Sequence, residues 1–128
     1  VRLLLDTHAV LWWFLGDALL TPTARDAIQS DGSEVWVSAV SAIEVATKFR
    51  VGKLPKAANL AASFEDMVAS EDFSALPISV RHAQRAGLLT IPHKDPFDRL
   101  LIAQAQTEGL TMVSNEAIFE SFGVVRLW

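Results

Sequence analysis

The sequence predicts an α/β protein, a three-layer α/β/α sandwich around a parallel five-stranded sheet. Two observations carry this. Short apolar, strand-like segments alternate with helix-patterned segments along the whole chain, and strands separated by helices pair in parallel. At 128 residues, half of them hydrophobic, the chain is expected to form one domain, residues 1–128, with a core that needs no staples.

Each element has a local cause. Arg2 to Leu5 reads as a buried strand, and Thr7 to Leu15 as an apolar helix or turn behind it. Thr21-Pro22 is a cap followed by proline at the first helical position, and Asp31-Gly32 ends that helix. Glu34 to Ser38 is a second strand, with Val35 and Val37 on one face and Trp36 on the other. Ser41 to Val51 is helical and closed by Gly52.

Ala57 to Ser70 places Leu60, Phe64, Met67 and Val68 at helical spacing. Ala75 to Ile78 is a short strand that Pro77 assigns to an edge. Ser79 caps the next helix, which carries Ala83 and Ala86. Asp95-Pro96 starts another helix that Gly109 stops. Leu110 to Val113 and Val124 to Leu127 are the last strands, joined by a short helix at about Ala117 to Phe122.

Composition removes several function classes. The absence of cysteine excludes disulfides and thiolate metal sites. No apolar run reaches the ~18 residues of a membrane span. The first residues lack the basic region and apolar core of a signal peptide, so the cytoplasm is the expected compartment. A net charge of −4 argues against a nonspecific nucleic-acid coat. It leaves a specific nucleic-acid substrate open, because eight of the eleven basic residues (Lys48, Arg50, Lys53, Lys56, Arg81, Arg85, Lys94, Arg99) fall in the middle of the chain.

Open parallel sheets bind ligands beyond the carboxyl ends of their strands. Asp6 follows the first strand directly, and Glu116 sits three residues past Val113. Glu44 lies in the helix after the second strand, and Asp98 in the first turn of the helix leading into the fourth. Four carboxylates gathered there repel one another unless a cation holds them. All-oxygen donors favour Mg²⁺ or Mn²⁺ over Zn²⁺.

Each acid also has a structural reading. Ser41-x-x-Glu44 has capping-box spacing. Asp95-Pro96-x-Asp98 reads as an N-cap, proline at N1 and an acid favoured by the helix dipole. Glu116 is placed to cap the last short helix. Asp6 is the least explained, since a carboxylate ending a buried strand needs a partner. Lys48 either meets a substrate phosphate or pairs with Glu44 one turn away. Arg81, Arg85, Lys94 and Arg99 are either part of a nucleic-acid track or solvated helix faces. Ser114 orients a ligand or caps a helix, and His8, His82 and His93 lack metal-ligand spacing and read as structural or exposed. Trp12-Trp13-Phe14 cannot all face inward from one helix, so part of the run suggests a covered surface.

Taken in order, these pieces resemble the PIN domain family, and within it the VapC-type toxin ribonucleases of toxin-antitoxin pairs. The likeness rests on Leu4-Leu5-Asp6-Thr7-His8-Ala9-Val10-Leu11-Trp12-Trp13 and on Val37-Ser38-x-x-Ser41-x-x-Glu44-Val45-Ala46-x-Lys48 with Gly52-Lys53-Leu54. It continues through His93-x-Asp95-Pro96-Phe97-Asp98-Arg99-Leu100-Leu101-Ile102-Ala103-Gln104-Ala105, Val113-Ser114-x-Glu116-x-x-Phe119 and Gly123 to Trp128. The resemblance implies a PIN-like sandwich and Mg²⁺- or Mn²⁺-dependent hydrolysis of RNA. Asp6, Glu44, Asp98 and Glu116 then match the family's acidic quartet as catalytic and metal-binding residues. It also implies an antitoxin protein as partner and a homodimer.

Glu116 departs from the family's usual aspartate, which bears on a second metal ion more than on activity. A non-enzymatic reading, in which the scaffold keeps its acids for metal or partner binding, is the alternative. A receiver domain would need an acidic pair after strand one and an aspartate after strand three, where Ile78-Ser79 stand. A haloacid-dehalogenase-like phosphatase would need an aspartate where His8 stands.

Overall fold

The computed structural model describes residues 1–128. Its order is β1 (Arg2–Leu5), α1 (Thr7–Leu15), α2 (Pro22–Gln29), β2 (Glu34–Ser38), α3 (Ala39–Arg50), α4 (Ala58–Ala62), α5 (Phe64–Ser70), β3 (Ser74–Leu76), α6 (Val80–Leu88), α7 (Pro96–Glu108), β4 (Thr111–Val113), a 3₁₀ helix (Ala117–Phe122) and β5 (Arg126–Leu127). The five strands form one sheet in the order β3-β2-β1-β4-β5. Every adjacent pair is parallel.

The sheet divides the core because strand side chains alternate faces. Leu3 and Leu5 join Val35, Val37 and Val113 on one face, under α1, α2, α4 and α5. Leu4 and Met112 point the other way, into a cluster with Leu101, Ile102 and Ala105 of α7 and with Phe119. α3 reaches both clusters, sending Val40 to the second and Val45 to the first. Leu3, Leu4 and Leu5 are fully buried, and truncating any one to alanine is expected to cost about 2–5 kcal/mol.

Helix ends follow the anticipated chemistry in most places. Thr21, Ser79 and Asp95 accept from the backbone amides of Ala24, His82 and Phe97. Gly109 closes α7 at φ 66°, a conformation that any side chain would strain. β3 lies at a sheet edge, as Pro77 requires.

Several boundaries differ from the expected ones, and one removes a capping motif. α3 starts at Ala39, capped by the Ser38 side chain on the Val40 amide. Ser41 is therefore inside the helix, its hydroxyl bonded to that of Thr7 at 3.0 Å, and Ser41-x-x-Glu44 is no capping box. The helix expected over Ala57 to Ser70 is two helices, broken at Ser63, whose backbone leaves the helical region at φ −132°. The third strand ends at Leu76, and the last two are shorter than expected.

Part of the aromatic run packs within the chain. Trp12 packs against Trp128, and both Trp13 and Phe14 against Phe73. All three are half-buried against the first core cluster. No helix is long and apolar enough to cross a membrane.

Candidate functional site

The strand order reverses at β1. The chain moves from β1 outward through β2 to β3, then returns to β1's other side for β4 and β5. Such a reversal leaves a crevice beyond the strand ends, because the two neighbouring connections run to opposite faces. Leu5 and Val113 are register partners at this edge, and the Asp6 amide donates to the Val113 carbonyl at 3.1 Å. Asp6 and Ser114 therefore emerge side by side.

Asp6 is 3% exposed. Its Oδ1 accepts from the Ala9 amide at 2.8 Å, so it is the N-cap of α1, a structural role that the sequence reading did not give it. The fully buried Ser114 side chain lowers its proton affinity. Burial nevertheless pushes the Asp6 carboxyl up to about 6, against the pull of Ser114, Ala9 and His8, with Glu116 adding repulsion. Desolvation outweighs the hydrogen bonds here.

Glu116 follows β4 by three residues. It holds the N-cap position of the 3₁₀ helix, but its side chain makes no capping bond. The Ser114 Oγ accepts the Glu116 amide instead, at 3.0 Å. The Glu116 carboxylate stands 3.8 Å from Nδ1 of His8. Burial raises its proton affinity, and the field of Asp98 raises it further.

Asp98 sits in the first turn of α7, below the Asp95 cap. His93 Nε2 lies 2.7 Å from its Oδ2. Burial raises the Asp98 pKa, opposed by His93 and assisted by Asp95 and Glu44. Glu44 is buried on α3 and accepts from Lys48 Nζ at 2.6 Å, so the Glu44-Lys48 pair is the one formed.

The four acids thus form one electrostatic neighbourhood in chain order around the crevice. Each of Asp6, Asp98 and Glu116 is made harder to ionise by burial and then by another acid. They are not drawn to a common point: no three acidic or histidine side chains reach joint metal-ligating distance. The donor set still fits a hard divalent cation, since it is all oxygen and its mutual repulsion is what such a charge relieves.

Two histidines belong here, although the sequence reading gave them no part in the site. His93 braces Asp98, and its position five residues ahead of that acid was the available signal. His8 faces Glu116 from the first turn of α1. His82 is structural, as expected: it completes the Ser79 capping box and meets Glu108 at 2.9 Å.

Arg99 is structural too, not part of a substrate track. Its guanidinium donates to the carbonyls of Ala86, Gly87, Leu89, Ile91 and His93, fixing the segment that carries His93. Arg85 donates to Gln106 across the helix pair.

Comparison with solved structures gives the same architecture. A chain in the structure of VapBC2 from Rickettsia felis bound to a promoter DNA fragment superposes with a TM-score of 0.72 at 14% identity, covering 98% of this chain and 97% of that one. One from VapBC-1 of nontypeable Haemophilus influenzae gives 0.70 at 9% identity, covering 98% and 96%. One from a Klebsiella pneumoniae toxin-antitoxin complex gives 0.61 at 20% identity, covering 88% and 85%. These identities speak for the fold alone. No curated protein sequence matches the chain. The PIN domain model matches residues 3–125, nearly the whole sandwich and all four acids, and the chain therefore belongs to the PIN domain family.

Proposed function

We propose that this protein is a Mg²⁺- or Mn²⁺-dependent endoribonuclease of the VapC type, the toxin of a toxin-antitoxin pair. The observation that carries the reading is the coupling of Asp6, Asp98 and Glu116. Three carboxyl groups from separate segments are held at the crevice of a parallel sheet, each with its proton affinity raised by burial and by another acid. Carboxyl groups with raised proton affinity gathered in a cleft are a common mark of a functional site.

In this reading Asp6 and Asp98 would hold the main ion, with Glu44 and Glu116 nearby to complete its surroundings. Once bound, the ion supplies Lewis acidity toward the scissile phosphate and makes a water more acidic. The chain's own groups do the rest. The Ala9 amide fixes the Asp6 carboxylate, and His93 fixes that of Asp98. Lys48 balances Glu44, leaving less negative charge for a phosphate to approach.

Hydrolysis by this route leaves a 5′-phosphate and requires no 2′-hydroxyl. The partners follow from the same reading: RNA as substrate, an antitoxin protein that blocks the site, and a second copy of the chain in a homodimer. The toxin-antitoxin neighbours support the antitoxin. The expected compartment is the cytoplasm, and the expected organisation a single domain over residues 1–128.

A second reading has one observation in its favour. Glu116 stands where aspartate is usual, and the acids do not converge to ligand distance, which suits a PIN scaffold that binds metal or partner without cutting. Incubating RNA with the protein, with Mg²⁺ and then with EDTA, separates the two. The nuclease reading expects Mg²⁺-dependent cleavage that is lost in Asp6→Asn and Asp98→Asn. Cleavage at the wild-type rate by either variant would sink the site, and no cleavage by the wild type would favour the binding module.

A further inference from the structure

Beside the acidic crevice, an open cleft of about 320 Å³ lies between α1 and the segment leading into α4. Its α1 wall is a helical stripe of His8, Leu11, Trp12 and Leu15, residues three and four apart on one face. The His8 imidazole stacks on the Trp12 indole, with centroids 5.3 Å apart and planes 18° from parallel. Trp12 is braced in turn by Trp128 at 5.6 Å. The wall is thus a preset aromatic surface. Lys53 and Lys56 form part of the opposite rim, both exposed and neither ion-paired. In a chain of net charge −4, two unpaired lysines facing an aromatic wall are a local reversal of sign. Asp17, the only acid at the cleft, is engaged through Oδ1 with the Leu19 amide.

We propose that this cleft is a nucleotide subsite for single-stranded RNA, a reading that rests on the ribonuclease assignment. One base stacks on the His8-Trp12 wall, and its flanking phosphates meet Lys53 and Lys56. Single-stranded RNA is held in this way elsewhere, by aromatic faces for bases and cations for the backbone. The volume suits one nucleotide, being at the lower end of small-ligand pockets. Continuity with the chemistry is direct, because His8 lines the cleft and also stands 3.8 Å from Glu116. A base placed here sets which phosphodiester enters the acidic crevice, so the cleft selects the cleavage position. The apolar wall also suits a protein segment, but such a segment gains nothing from two bare lysines unless it is acidic.

The test is binding of a fluorescent single-stranded RNA to the full chain in EDTA, followed by anisotropy over a range of salt. Lys53→Gln/Lys56→Gln is expected to weaken binding about tenfold and to flatten the salt dependence by about 0.7 in log-log slope per lost phosphate contact. Inorganic polyphosphate of matched charge, which has no base to stack, is expected to bind the wild type about tenfold more weakly than RNA. Unchanged affinity and slope in the double variant, or polyphosphate binding as tightly as RNA, overturns the proposal. So does an acidic peptide that competes while RNA binding ignores the lysines. Lysine-dependent RNA binding by a protein that never cleaves with Mg²⁺ supports the subsite and rejects the ribonuclease reading, which keeps the two failures apart.

Discussion

His93 and Asp98 are joined by a 2.7 Å contact between Nε2 and Oδ2, and both groups are about three-quarters buried. The imidazole lowers the proton affinity of a carboxyl that burial raises, and it holds that carboxyl in one orientation. His93 is itself tied down, since its carbonyl accepts from Arg99 at 3.0 Å. Asp98 is thus positioned by a short closed circuit through the segment before α7.

Removing the brace should weaken the site without emptying it. His93→Ala is expected to lower metal affinity and RNA cleavage about 10- to 100-fold, the usual range for a group that orients a ligand. Mg²⁺ titration of the cleavage rate checks this. A variant that needs no more Mg²⁺ than the wild type would mean that His93 does not act through Asp98.

Asp6 predicts a pH dependence of stability. Its folded pKa is raised to about 6 from 3.8, so between those values the folded state keeps a proton that the unfolded chain has released. Stability is therefore lost as pH rises from about 4 through 6 and stays lower above, by roughly 3 kcal/mol for a shift of about two units. Asp6→Asn retains the capping oxygen and carries no charge. Metal-free, it should melt higher than the wild type at pH 7.5, with the gap closing toward pH 4. Adding Mg²⁺ should stabilise the wild type and leave the variant unmoved. Thermal melts at four or five pH values are sufficient, and a gap that widens toward acid would show that burial does not disfavour the charged Asp6 carboxylate.

Arg99 predicts a local loss of order. Five carbonyl acceptors lie within its reach, and a lysine cannot span them with one ammonium group. Both Arg99→Ala and Arg99→Lys should cost about 2–4 kcal/mol. They should also speed amide exchange across residues 89–95, the segment bearing His93. Equal exchange in wild type and variants would show that the segment is held by other contacts.

Glu116 tests the quartet's least typical member. Glu116→Gln should raise the Mg²⁺ concentration needed for half-maximal cleavage at least about tenfold, through loss of one anionic donor. Glu116→Asp keeps the charge and should cleave within a few-fold of the wild type. Isothermal titration with Mn²⁺ checks both variants, and a glutamine variant that binds as tightly as the wild type removes Glu116 from the site.

Much of this was legible in the sequence for a simple reason. Strand alternation and cap residues act over a few positions, so Leu3, Leu4 and Leu5, Thr21-Pro22, Ser79 and Asp95-Pro96 declare their elements locally. Misplaced boundaries occurred where two local signals competed. Ser38 and Ser41 both have cap chemistry, and the choice between them fell to packing: Ser38 also donates to Gln104 of α7, a contact 66 residues away. Ser63 breaks a helix whose apolar spacing reads as continuous.

The order of elements, the nature of the strands and the identity of four suspicious acids were fixed by the amino-acid sequence, because each depends on neighbours along the chain. Which acids feel one another depended on the strand order β3-β2-β1-β4-β5, which sets β1 beside β4 and so brings Asp6 next to Ser114 and Glu116. Pairing of His93 with Asp98, the five-carbonyl role of Arg99 and the aromatic wall beside Lys53 and Lys56 likewise arise only in three dimensions. The contact of β1 with β4 is decided by how two faces of a sheet are covered, which residue spacing does not record, and the shorter-range pairs depend on side-chain directions that spacing only suggests.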